Sequence, residues 1–251
     1  MSAAAVHRPV VHWLGGWVSS LACWEPQLRA LYPAFEHRFI DTHDVLHATP
    51  AAAGLHDAAP GDVAAAWSLG SLRAHRWIEE GLWPEHLPLL SLCPVFRFVQ
   101  PAGAGTFGES VLLRMEQKLG PAREAVLLDF WRRMPKSAGM PPEWEANWIA
   151  ATRRYDDASV LAALRYLRLE VVADPSSLRA PAAGWSLIAG AQDRLAPPGA
   201  WRDALPTGAR LDVYEGGHLP FQERPDLVTS HLERLSASSL AHRALGTGGA
   251  R

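Results

Sequence analysis

Val63-Ala64-Ala65-Ala66-Trp67-Ser68-Leu69-Gly70-Ser71 is the stretch on which the fold turns. From Asp62 to Trp67 the residues are small and apolar, the character of a buried strand. The run passes without a linker into Ser68-Leu69-Gly70, and a helical pattern follows from about Ser71 to Glu80. A serine at so abrupt a strand-to-helix turn lifts its hydroxyl above the sheet edge, provided its neighbours are small. The helix behind it aims free N–H groups at that hydroxyl and favours developing negative charge there. An ordinary turn serine fits Ala66 to Gly70 equally, so the weight rests on what surrounds them.

On either side the same rhythm repeats. Val6 to Trp13 is a valine-rich strand closed by Gly15-Gly16, and Leu21 to Leu31 is helical in spacing and stops before Pro33. Phe39-Ile40 is a second short strand, Asp41 to Gly61 a loop dense in His, Asp, Pro and Ala, and Leu87 to Leu92 a further strand. Trp185 to Ala189 and Leu211 to Tyr214 are strands too, with a short helix at Ala200 to Ala204 and a final one from Pro225 to about Leu235. Ser236 to Arg251 is small and polar enough to fray. Strands separated by helices at this pitch predict an α/β fold, with a mostly parallel sheet covered on both faces. Between Arg97 and Arg179 the segments are helical only (Val111 to Leu119, Ala122 to Met134, Ser159 to Leu169). The expected organisation is therefore a core of residues 1–96 and 180–251 with a helical cap of residues 97–179 inserted in it.

The 251 residues carry 24 Lys/Arg against 26 Asp/Glu, a net charge of −2, which excludes a wholly cationic surface of the kind that binds nucleic acid. Apolar residues at 48% and charged residues at 20% are ordinary for a globular chain. No apolar run is long enough to cross a bilayer and no signal peptide is apparent. Cys23 and Cys93 lie far apart, so a reducing cytoplasm is expected rather than a disulfide framework. A monomer is expected. Eleven tryptophans call for large apolar pockets.

Downstream of Ser68, Ala189-Gly190-Ala191-Gln192-Asp193 closes one strand and Glu215-Gly216-Gly217-His218 closes the next. Both loops fall at the carboxyl edge of a parallel sheet, where such folds keep their sites. The order Ser68, Asp193, His218 is the chain order of the α/β-hydrolase triad. A serine hydroxyl needs a base to become a nucleophile, and histidine takes and returns a proton near neutrality. A buried aspartate then fixes the imidazole tautomer and stabilises its cation. An oxyanion hole needs two aimed backbone N–H groups; Leu69 supplies one and Trp17, in the loop Gly15-Gly16-Trp17-Val18, the other, with its indole expected to line the pocket.

Gly16-Trp17 with Trp24, then Trp67-Ser68-Leu69-Gly70, then His218-Leu219-Pro220-Phe221 with Pro225 behind, resemble the carboxylesterases that demethylate pimeloyl-acyl carrier protein methyl ester in biotin synthesis. The likeness runs over nearly the whole chain. It implies an α/β-hydrolase fold, catalytic Ser68, Asp193 and His218, carbonyl-binding Trp17 and Leu69, no cofactor or metal, and cap helices that dock an acyl carrier protein. Ala66 stands where the family has the first glycine of the elbow, and Gly15 where it often has histidine.

The cap segment holds 12 Arg/Lys against 10 Asp/Glu, net +2, whereas the remainder holds 12 and 16, net −4. Carrier proteins are acidic, so Arg123, Arg132, Arg133, Arg153 and Arg154 are the candidate docking residues, with solvated faces and local ion pairs as the alternative. His43-Asp44 and His47, with His56-Asp57, would align as metal ligands only on a helix, which Pro50 and Gly54 oppose. Gly103-Ala104-Gly105 is a joint at the cap entrance. Rival functions are a hydrolase of small free esters or thioesters, an acyltransferase on the same triad, and a binding protein without catalysis.

Overall fold

In a computed structural model, which describes residues 8–99, 107–134, 136 and 140–246, six strands form one parallel sheet. They are β1 (Val10–Leu14), β2 (Glu36–Ile40), β3 (Val63–Trp67), β4 (Leu89–Leu92), β5 (Trp185–Gly190) and β6 (Ala209–Tyr214). Their spatial order is β2-β1-β3-β4-β5-β6 with every pairing parallel. The chain leaves β1 to one side for β2 and returns to the other side for β3. Loops after β1 and β3 therefore diverge, opening the crevice in which open α/β sheets bind ligands. β3 is buried throughout, which explains its unbroken small and apolar sequence.

Helix α1 (Glu25–Leu31) follows a 3-10 turn over Leu21–Trp24, α2 (Thr42–His47) follows β2, and α3 (Leu69–Glu79) follows β3. The cap segment supplies α4 (Glu109–Arg133), α5 (Pro142–Thr152) and α6 (Asp157–Leu169); α7 (Pro220–Glu223) and α8 (Pro225–Gly246) close the chain. Side-chain register places α3 and α8 on opposite faces of the sheet. His75 of α3 bonds Ser91 of β4 at 2.9 Å, whereas Arg234 of α8 bonds Ser186 of β5 at 2.7 Å, and Ser186 is in register with Leu90, not Ser91. An isolated antiparallel bridge, Arg97 to Val171, ties the two ends of the cap segment together.

Three expectations change. Asp41 to Gly61 is not all loop: the Asp41 side chain caps the His43 amide at 2.9 Å and starts α2, a helix with only Thr42 and Val45 buried. The segment expected to fray is helical to Gly246, because Ser236 and Ser239 are buried and the Ser239 hydroxyl meets the Gly61 amide at 3.2 Å. The two helices expected early in the cap do form, and within α4 they meet end to end at a kink where Pro121 precedes Ala122, which is non-helical at φ −144°. Ala200 to Ala204 forms two 3-10 turns instead of a helix. The Gly103–Gly105 joint lies outside the described residues. Among the described residues no helix is long and apolar enough to cross a membrane.

Two of the tryptophans, Trp17 and Trp24, tie the helical segment to the core. Trp17 donates to the Val160 carbonyl at 3.1 Å and Trp24 to the Trp144 carbonyl at 3.0 Å. Trp24 also packs against Trp67, Trp131, Trp144 and Phe221, with ring centroids 5.1–6.2 Å apart. A buried tryptophan covers a large area while its N–H still needs an acceptor, and carbonyls across the interface supply it.

Candidate active site

Ser68 has φ 54° and ψ −115°, a conformation rare for any residue with a side chain. Its amide donates to the Leu92 carbonyl at 3.0 Å, and its own carbonyl accepts from the Ser71 hydroxyl at 2.6 Å. The Ser71 oxygen in turn accepts from the Val95 amide at 2.9 Å. Gly70 is required by close approach: a Cβ there would lie 2.6 Å from the Leu14 carbonyl oxygen and 2.7 Å from that of Gly15. This contact brings the start of α3 against the end of β1. Among the described residues, the non-glycine ones at positive φ are Val18, Ser68 and Cys93, which follow β1, β3 and β4 at one edge of the sheet. Such strain costs about 1–3 kcal/mol per residue and clusters where function requires it.

Asp193 and His218 meet as their chain order predicts. His218 Nδ1 lies 2.6 Å from Asp193 Oδ2, and both residues are buried. The other carboxylate oxygen, Oδ1, accepts from the amides of Leu195 at 2.8 Å and Ala196 at 3.1 Å. Burial alone would raise the Asp193 pKa, but the His218 imidazole and these two amides outweigh it and hold the carboxyl below its ordinary value. An ionised Asp193 accepts a hydrogen bond from Nδ1–H, which keeps the ring proton on Nδ1 and leaves Nε2 with the lone pair a base needs. That nitrogen is buried and bonds to no described residue, the Ser68 hydroxyl included. In unliganded enzymes this link is often open and tightens only with substrate bound.

Several groups that fix this arrangement had no signal in the sequence. The Trp67 indole donates to the His218 backbone carbonyl at 2.8 Å, linking the strand that carries Ser68 to the loop that carries the histidine. Glu223 accepts from the Gly217 amide at 2.7 Å and from the Tyr214 hydroxyl at 3.1 Å, which holds the same loop from its other side. A tryptophan next to the serine was visible in the sequence; its acceptor 151 residues away was not.

The loop after β1 carries the other oxyanion candidate. Leu69 is the first residue of α3, and neither its amide nor that of Trp17 donates to a backbone carbonyl among the described residues. An atom added at Gly16 would sit 3.4 Å from Ser68 Cβ and 2.8 Å from the Trp67 ring, so this peptide lies directly against the elbow. Gly15 is confined by its own loop: a Cβ would lie 1.8 Å from the Ser19 carbonyl oxygen. The loop as folded excludes the histidine often found there in the esterases the sequence resembles. The Trp17 indole is turned to the cap, its N–H on Val160 and its ring edge-on to Phe130 at 4.7 Å.

Two other aspartate–histidine pairs are set apart by position. His12 and Asp62 lie 3.3 Å apart and His231 and Asp212 2.7 Å apart, but His12 and Asp212 sit within strands and away from the carboxyl edge. Fully buried His75 is pushed down to about 3 by desolvation and donates Nδ1–H to the Val95 carbonyl, which makes it a neutral core residue. His43 and His47 do align, with ring centroids 4.5 Å apart on α2. Among the described residues only Cys93, Asp193 and His218 gather as a possible metal-binding trio. Its His218 and Asp193 atoms already face each other at 2.6 Å, and burial together with the Asp193 charge keeps the Cys93 thiol protonated.

The candidate docking arginines divide. Arg123 is half-buried and bonds Asp157 at 2.9 Å, the Thr152 carbonyl at 2.6 Å and the Tyr155 carbonyl at 2.5 Å, joining α4 to the α5–α6 turn. Arg133 pairs with Asp129 at 2.7 Å and Arg153 with Glu124 at 3.1 Å. Arg132 and Arg154 are exposed and form no ion pair among the described residues.

No protein-family model matches the sequence, and no curated protein sequence matches it. Solved structures do resemble the fold. An esterase from Exiguobacterium antarcticum superposes with a TM-score of 0.71 at 15% identity, covering 91% of this chain and 92% of that one. An enol-lactonase from Burkholderia xenovorans LB400 gives 0.70 at 16% identity, with 92% of each chain covered. A bromoperoxidase from Bacillus anthracis gives 0.69 at 14%, covering 91% and 92%. The fold is that of the α/β-hydrolases, a scaffold that hosts several chemistries.

Proposed function

We propose that this chain of α/β-hydrolase fold is a serine carboxylesterase that hydrolyses the methyl ester of pimeloyl-acyl carrier protein to methanol and the free acid. The observation that carries the reading is the buried His218–Asp193 contact of 2.6 Å at the same sheet edge as a serine held at φ 54°. Ser68 Oγ attacks the ester carbonyl while His218 Nε2 takes its proton, and Asp193 stabilises the imidazolium. The amides of Trp17 and Leu69 hold the oxygen as it becomes negative. Collapse of the tetrahedral intermediate breaks the bond to the methoxy oxygen, which leaves with the proton from His218. Water, deprotonated by the same nitrogen, then cleaves the acyl-enzyme and restores Ser68. Structural neighbours named as esterases support the chemistry, and the likeness of Trp67-Ser68-Leu69-Gly70 and His218-Leu219-Pro220-Phe221 to the biotin-pathway esterases supports the substrate.

Hydrolysis of small free acyl esters or thioesters is the second reading. Two observations favour it: Arg123 is committed to intramolecular bonds, and the loop at Gly15 has no room for the histidine of the resembled family. Charge reversal separates the two. For the carrier reading, Arg132→Glu with Arg154→Glu raises KM for carrier-bound methyl ester about tenfold and leaves the free methyl ester within about twofold. Equal kinetics of this variant and the wild type on both substrates would select the small-ester reading.

A further inference from the structure

We infer that Thr42 is a positioning residue for the oxyanion hole, its hydroxyl holding the Gly16 carbonyl so that the Trp17 amide of the same peptide faces the reacting ester. The inference rests on the esterase reading and deepens it. Among the described residues there is no cis peptide, so the carbonyl of the Gly16–Trp17 unit and its N–H point in opposite directions. Whatever fixes the carbonyl also aims the amide. Thr42 Oγ1 donates to the Gly16 oxygen at 2.9 Å, and the Ser19 amide donates to it at 3.2 Å. Both lone-pair directions of that oxygen are thereby occupied, and the Trp17 N–H is left facing away, on a peptide packed against Ser68. A carbonyl that accepts two hydrogen bonds also polarises its own peptide, which makes the N–H a stronger donor.

Thr42 is equipped for this task. It is 3% exposed, it opens α2, and Asp41 in front of it caps that helix. Asp41 also accepts from the Tyr155 hydroxyl at 2.9 Å, and that hydroxyl accepts from the Ser20 amide at 3.0 Å. The loop from Gly16 to Ser20 is thus held at one end by α2 and at the other by a cap residue, around a valine at φ 50° that would not keep this conformation unaided. The Trp17 indole is engaged away from this peptide, on the Val160 carbonyl and edge-on to Phe130.

The experiment compares wild type, Thr42→Val, Thr42→Ser, Thr42→Ala and Ser68→Ala on a short p-nitrophenyl ester. It also compares their affinities for an alkyl boronic acid, which becomes an anionic tetrahedral adduct, and for the neutral amide analogue of the ester. Thr42→Val is expected to lower kcat about ten- to a hundredfold with KM within about twofold, a smaller loss than deleting an oxyanion donor outright. Boronate affinity is expected to fall by the same factor as kcat/KM while amide affinity stays constant. Thr42→Ser keeps the hydroxyl and restores most of the activity; Thr42→Ala, which lacks the same methyl as Ser, does not. The Ser/Ala comparison decides the matter should Thr42→Val fold poorly. Thr42→Val or Thr42→Ala with wild-type kcat, equal losses for boronate and amide, or Thr42→Ser as impaired as Thr42→Ala would each overturn the role of Thr42. An inactive wild type, or a Ser68→Ala variant as active as wild type, would overturn the esterase reading beneath it.

Discussion

Ser68→Ala is expected to lose at least about a thousandfold in kcat on a short p-nitrophenyl ester while keeping its fold. Alanine retains the Cβ, so the turn at φ 54° stays as strained as before. The backbone bonds that hold it, from the Ser68 amide to Leu92 and from Ser71 to the Ser68 carbonyl, do not involve the lost oxygen. Thermal unfolding of the variant should match wild type within a few degrees, about what a change of 1 kcal/mol produces at this size. Rate and stability therefore separate. The residual rate comes from the oxyanion amides and from binding, which act without the nucleophile. Near-normal turnover by a folded Ser68→Ala variant would end the assignment of the nucleophile.

Asp193→Asn is the second large effect, a loss of about ten-thousandfold in kcat near neutral pH. The reason is local. Oδ1 is bound by the Leu195 and Ala196 amides, so an asparagine keeps its carbonyl oxygen there and turns its NH2 toward His218 Nδ1. Nδ1 must then accept, the ring proton moves to Nε2, and the imidazole can no longer take the serine proton. Substrate binding is little affected, so KM should change far less than kcat. The same substitution alters acid stability. The folded pKa of Asp193 is depressed, so its ionised form contributes stability above the ordinary carboxylate value, and that contribution is lost as pH falls through the folded value. Denaturant midpoints measured from pH 6 down to pH 3 should fall less steeply for Asp193→Asn than for wild type. An active Asp193→Asn variant with an unchanged acid limb would remove Asp193 from the mechanism.

The parts of this molecule legible in the sequence are those written in consecutive residues. The elbow, the buried strand before it and the two loops bearing Asp193 and His218 each announce themselves within about ten residues. Helix α2 did not, because a six-residue helix rich in His and Asp shows little apolar period, and its start depends on one capping carboxylate. The end of α8 reads as a frayed tail since its serines are small and polar; it is held as helix where the Ser239 hydroxyl accepts from the Gly61 amide and donates to the His86 carbonyl. Trp67 on the His218 carbonyl, Thr42 on the Gly16 carbonyl and Arg123 on the Thr152 carbonyl share a different obstacle. Each is a side chain meeting a distant backbone oxygen, and a backbone oxygen carries no mark in a sequence. The charge of the cap was legible as a total, but not its division between arginines bonded within the cap and those left to solvent.

The central claim is that the Ser68 hydroxyl becomes a nucleophile through His218. Reaction with an organophosphonate fluoride followed by peptide mass spectrometry reads this directly, because the phosphorus is attacked only by an activated hydroxyl and the bond formed survives digestion. The account predicts one phosphonyl group per chain on the peptide containing Ser68, none on Ser68→Ala, and labelling slowed by at least about a hundredfold in His218→Ala. Stoichiometric labelling at another residue, or His218→Ala labelled at Ser68 as fast as wild type, would contradict it.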